Sequence, residues 1–172
     1  SMTYAPIASS RIVSFNPASG TLAVTTAGKI LATVIINGTA GTTTQLQDDL
    51  TFLGGGSLTL TQATFDANNH NITGGAFSSS NSNTRTLTLG SGTHTINALQ
   101  GNVWDTSTTT NLTMSANTAT LIFSSAAGGL RSALTGGLNF NGTSISVINS
   151  GPVPAKFGFT GASFLCHFSI TS

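Results

Sequence analysis

Leu87-Thr-Leu-Gly-Ser-Gly-Thr-His-Thr-Ile96 recurs in outline as Leu112-Thr-Met-Ser-Ala-Asn-Thr-Ala-Thr-Leu121, and again as Leu138-Asn-Phe-Asn-Gly-Thr-Ser-Ile-Ser-Val147. In each unit the first and third positions are large and apolar and the middle is small and polar. The tail runs hydroxyl, variable, hydroxyl, apolar. Alternation of this kind marks a strand with one face in a core, and a small polar break between two such runs marks a corner. Recurrence at this length is the signature of a solenoid, in which each unit buries its apolar face only by stacking on the next. Stacking in register predicts columns: Leu87 on Leu112 on Leu138 on Phe164, and Leu89 on Met114 on Phe140 on Cys166.

A third apolar stretch completes each circuit. Val103-Trp104 follows the first unit, Leu130 to Leu134 the second, and Phe157-Gly-Phe159 the third, which predicts three sides per coil. A less regular earlier rung is visible in Leu58-Thr-Leu60, Ala63-Thr-Phe65, Ile72 and Phe77. The fold expected is all-β, a parallel β-helix of about 25 residues per coil, with a β-sandwich as the alternative. Residues 51–172 carry the rungs. Residues 1–50 do not share the repeat and are expected to form an irregular N-terminal β segment that caps the stack, with a turn of helix near Thr44–Asp49. Pro152 and Pro154 place a loop at 151–156.

Composition narrows the function classes. Of the 172 residues only 5% are charged, none is Glu, and Thr, Ser, Asn and Gly together make half the chain. The net charge is +1, and Arg11, Lys29, Arg85, Arg131 and Lys156 are scattered singly, so the clustered positive charge that drives nucleic-acid binding is missing. No apolar run approaches the roughly 20 residues that span a bilayer as a helix. Neither nucleic acid nor membrane insertion is expected, and a single cysteine, Cys166, leaves the redox compartment open.

Thr64-Phe-Asp-Ala-Asn-Asn-His-Asn-Ile72, Phe77-Ser-Ser-Ser-Asn-Ser-Asn-Thr-Arg-Thr-Leu-Thr-Leu-Gly90, Val103-Trp-Asp105 and Thr109-Thr-Asn-Leu112 together resemble Ser/Thr/Gly/Asn-rich repeat proteins encoded by bacteriophages. The resemblance covers about residues 58 to 170. It implies a right-handed β-helix module of a tail fibre, tailspike or adhesin, located on the virion or at an extracellular surface. A homotrimer and a host-surface glycan are the partners it implies. It assigns no catalytic residue.

Read from the residues, no catalytic, metal or cofactor site is expected. Asp48, Asp49, Asp66 and Asp105 are the acids, and Asp66 and Asp105 fall beside corners, where Asp bonds to nearby backbone. His70 and His94 lie nearly one coil apart, but the repeat puts His94 at an inward, core-facing position or its edge, as a buried or half-buried neutral histidine with one hydrogen-bond partner. The candidate binding residues are Arg85, Trp104, Thr93, Thr95, Thr118 and Thr120. The Arg85 head would bond either corner carbonyls or a neighbouring chain. Trp104 would stack on a sugar if exposed and pack in the core otherwise. Thr93-His-Thr95, Thr118-Ala-Thr120 and Ser144-Ile-Ser146 align as outward pairs.

Three functions follow in order: a non-enzymatic structural or attachment module of a virion fibre or spike that binds host glycan; an ice-binding solenoid with a threonine face; and a polysaccharide-cleaving tailspike fragment, which needs paired acids.

Overall fold

A computed structural model describes residues 11–97, 101–125, 129–134, 140, 144–149, 155–160 and 167–171. Among them are sixteen strands and no helix. The strands are β1 (Ile12–Phe15), β2 (Thr21–Val24), β3 (Ile30–Asn37), β4 (Thr43–Leu46), β5 (Leu50–Asp66), β6 (Ile72–Thr73), β7 (Ala76–Ser78) and β8 (Arg85–Thr88). They continue with β9 (Thr93–Asn97), β10 (Gly101–Asp105), β11 (Leu112–Ser115), β12 (Thr120–Ser125), β13 (Gly129–Leu134), β14 (Ser144–Asn149), β15 (Ala155–Thr160) and β16 (His167–Thr171).

The pairings are parallel, and they sort the strands into three sides of one coil. The first side stacks β2, β4, the end of β5, β8 and β11. The second stacks the start of β3, the start of β5, β6, β9, β12, β14 and β16. The third stacks β1, the rest of β3, the middle of β5, β7, β10, β13 and β15. The chain is therefore a β-solenoid, as the repeat predicts, and not a sandwich, whose strands pair mainly antiparallel. β5 runs along all three sides in one strand. It bends at Gly54–Gly56 and again at Ala63, whose φ of 77° is unusual for a residue with a Cβ.

Side chains alternate in and out along each strand, so every side sends columns into the axis. Val34, Leu58, Phe77 and Trp104 stack in one column, and Leu50, Ile72, His94, Leu121 and Ile145 in another. Each is at most 3% exposed. Phe65 lies on Leu87, with Met114 above.

The structure corrects four expectations about register and extent. Leu112 does not lie on Leu87: it pairs with Arg85, and Met114 pairs with Leu87, so the circuit between these coils is longer than the repeat alignment implies. On the second side Thr93 pairs with Thr120, and Thr120 with Ser144, which removes Thr118 from the aligned pairs. Residues 12–46 are not an irregular cap. β1 to β4 are rungs in register with β5, and the expected helical turn near Thr44 is the strand β4. Their circuits are unequal, shorter from Ile12 to Thr33 and from Thr43 to Thr64 than from Val34 to Leu58, so no single offset brings them into line with the later units. Leu138, Pro152, Pro154, Phe164 and Cys166 lie outside the described residues.

The corner between the first and second sides is held by close backbone approach. Gly90 has φ +71° and shares its place with Asn68 and Asn117, at φ 48° and 51°. A Cβ on Gly92 would stand 2.5 Å from the His70 carbonyl oxygen of the coil below. Because that neighbour is backbone, Gly92→Ala is expected to force the coils apart and cost about 2–3 kcal/mol. Gly54→Ala, with nothing within 4 Å, is expected to be near neutral. Urea unfolding of the two variants checks this.

Candidate functional site

The four aspartates are anchored in the same way. Asp48 accepts the N–H groups of Thr26 and Ala27 at 2.7 and 2.6 Å, and Asp49 accepts Asn71 N–H at 2.8 Å. Asp66 accepts Asn68 N–H at 2.8 Å and the Gln45 amide at 2.9 Å, and Asp105 accepts the N–H and hydroxyl of Ser107 at 3.1 and 2.8 Å. The chain has no Glu, so each acidic side chain is a corner staple. The bond from the Asn71 backbone holds the Asp49 carboxyl below its ordinary range, helped by the Asn71 amide and by His70, whose Nδ1 stands 3.7 Å away. His70 and His94 do not stack, since His94 pairs with Ile72. Among the described residues no three His, Cys, Asp or Glu side chains gather as a metal site.

Arg85 bonds corner carbonyls. It occupies an inward position between Ala63 and Leu112 and is 1% exposed. Its Nε donates to Asn83 O, Nη1 to Ser79 O, and Nη2 to Thr108 O and Thr110 O. One guanidinium thus ties the turn at 79–84 to the turn at 106–111 on the next coil. Burial pulls its pKa below the usual arginine value. Trp104 packs in the core. It is 1% exposed, its ring lies 4.4 Å from Phe77 and 6.0–6.2 Å from Phe140 and Phe123, and its Nε1 donates to Thr106 Oγ1. Neither side chain is presented to a ligand.

Thr93, Thr95 and Thr120 project outward on the second side, where Thr51, Thr73 and Thr95 form a short column that Ile122 interrupts. Thr118 is exposed at a corner.

A longer column was not legible in the repeat. On the first side Thr21 pairs with Thr43, Thr43 with Thr64, Thr64 with Thr86 and Thr86 with Thr113. These five alternate with inward-pointing neighbours and face outward, one per coil, at the roughly 4.8 Å spacing of adjacent strands. Among the described residues none of the five hydroxyls has a hydrogen-bond partner, in contrast with those of Thr26 and Thr42, which are bonded into turns. Beside it runs a mixed column of Ala23, Gln45, Asp66, Thr88 and Ser115, in which the Gln45 amide is already bonded to Asp66.

No protein family, curated protein or solved structure matches the chain.

What remains is the chemistry of the surface itself. The threonine column offers a row of hydroxyl donors and acceptors with methyl groups between them, on a side whose one outward charge among the described residues is Asp66. Such a row is chemically able to hydrogen-bond an uncharged, hydroxyl-rich surface without the desolvation cost that charged groups carry.

Proposed function

We propose that the chain is a non-enzymatic structural and attachment module of a virion-surface fibre or spike, and that the column Thr21, Thr43, Thr64, Thr86, Thr113 contacts neutral host glycan. The observation that carries this reading is the division of labour among polar groups: the four aspartates are consumed in corners, while a row of five threonine hydroxyls stays uncommitted and in register. The phage context comes from the sequence resemblance.

Binding to an array of host-surface glycans tests it. Thr64→Lys with Thr86→Lys, placed at the centre of the column, is expected to weaken glycan binding at least tenfold and leave the unfolding midpoint within about 2 °C of wild type. Binding unaffected by the double substitution would reject the column as the contact surface. Release of oligosaccharide from host polysaccharide, lost in Asp66→Asn or Asp105→Asn, would replace attachment by cleavage.

A second reading is favoured by one observation. Regular spacing of an unbroken threonine column also suits an ordered water lattice, and thermal hysteresis would establish an ice-binding role. The neighbouring column, with Thr88 as its single threonine, ranks this reading second.

A further inference from the structure

His94 is an ionisable side chain in a place where its neighbours are hydrocarbon. It is 0% exposed on β9, with Ile72 in the coil below and Leu121 in the coil above. Its Nε2 lies 3.1 Å from the Leu89 carbonyl oxygen, an acceptor, so Nε2 carries the proton of the neutral ring. Nδ1 is buried and has no partner. A small gap inside the coil is lined by His94 together with Phe52, Phe65, Ile72, Leu87 and Trp104. From β6, β12, β5, β7 and β10 the residues facing the ring are apolar, and β9 itself adds no titratable group. The other buried charge among the described residues is Arg85 on β8, whose guanidinium is turned to the carbonyls of the 79–84 and 106–111 turns. Asp49 and His70 belong to the outer corner.

We propose that His94 makes the central coils an acid-responsive element: neutral, it is a core residue of the second side, and protonated it drives the stack around it to open. The charged ring needs an acceptor at Nδ1, and within the coil there is none among the described residues. Burial disfavours the charged form, and the bond to Leu89 only partly offsets this. The unfolded chain takes up the proton near pH 6.5, whereas the folded chain resists it to lower pH. Stability is therefore complete above about pH 6.5 and falls as the medium is acidified below it.

Thermal unfolding of the whole chain, followed by circular dichroism at pH 7.5 and pH 5.0, tests this. The wild-type midpoint is expected to drop by about 4–8 °C over that interval. His94→Gln, which retains an amide donor for the Leu89 carbonyl and does not titrate, is expected to hold its midpoint within about 1 °C, as is His94→Leu, which matches Leu121 above it. A wild-type midpoint that does not move, or variants that fall as far as wild type, would overturn the proposal. If both variants fail to fold, nitrogen-15 NMR of the imidazoles in the wild-type chain decides: the His94 ring is expected to stay neutral at pH 5.5 in the folded state. A His94 ring that is charged while the chain is fully folded overturns it.

Discussion

Arg85→Leu is expected to lower the stability of the chain by about 3–4 kcal/mol, or an unfolding midpoint by roughly 10 °C for a domain of this size. The substitution fits the shape of the column, because the positions below and above are Ala63 and Leu112. What it removes is the common donor for the carbonyls of Ser79, Asn83, Thr108 and Thr110. A hydrogen bond from a charged group contributes about 1.5–3 kcal/mol, and the cost of burying the guanidinium offsets part of the total. Arg11→Leu, at an exposed position, is expected to change stability by less than about 0.5 kcal/mol. Chemical denaturation of both variants measures the difference. An Arg85→Leu protein as stable as wild type would mean that the burial cost cancels the four bonds.

Trp104→Ala is expected to cost as much or more, about 3–5 kcal/mol. Its ring packs against three aromatic neighbours, Phe77 in the coil below, Phe123 and Phe140. Removal also loses the hydrogen bond from the indole Nε1 to Thr106 Oγ1. Trp104→Phe keeps most of the packing and is expected to lose about 1–2 kcal/mol. Because this is the chain's one tryptophan, wild-type emission reports on the same site. It is expected to be blue-shifted in the folded state and to move to the red in a single transition on unfolding. Emission of a solvated indole from the folded chain would place Trp104 on the surface.

The solenoid was legible because inward positions recur as large apolar residues and outward ones as hydroxyls, a pattern that survives any shift by an even number of positions. That same tolerance explains the register error. A slip of one position would have thrown Leu87 to the outside, but the slip from Leu112 to Met114 keeps every side chain on its correct face. Corner chemistry would have resolved it: Gly90 and Asn117 both adopt positive φ, a conformation that Gly and Asn tolerate, and aligning them gives the observed pairing of Leu87 with Met114. The first coils share no single period with the later units, because circuit length varies from one coil to the next, as between Thr43 and Thr64 and between Val34 and Leu58. Between β7 and β8 the chain spends residues 79–84 on a turn, whereas in the coil below it passes from Leu60 to Ala63 within β5.

The candidate site was legible only in part. The repeat puts His94 at an inward place or its edge, and full burial decides for the inside. The sequence leaves Arg85 to bond either corner carbonyls or a neighbouring chain, and its buried place between Ala63 and Leu112 decides for the carbonyls. The threonine column was missed because the circuit from Thr86 to Thr113 is longer than those joining Thr21, Thr43, Thr64 and Thr86, so no single period captures all five.

A pair of engineered cysteines in a Cys166→Ser chain tests the stacking most directly. Thr86 and Thr113 face each other on adjacent coils, at a strand spacing of about 4.8 Å that a disulfide spans. Thr88 and Thr113 lie on a diagonal of roughly 7–8 Å that a disulfide does not span without backbone movement. On mild oxidation the Thr86→Cys/Thr113→Cys chain is expected to close its bridge while folded, and the Thr88→Cys/Thr113→Cys chain to keep free thiols. Closure of the second pair in place of the first, or of neither, would contradict the register on which the columns and the threonine row depend.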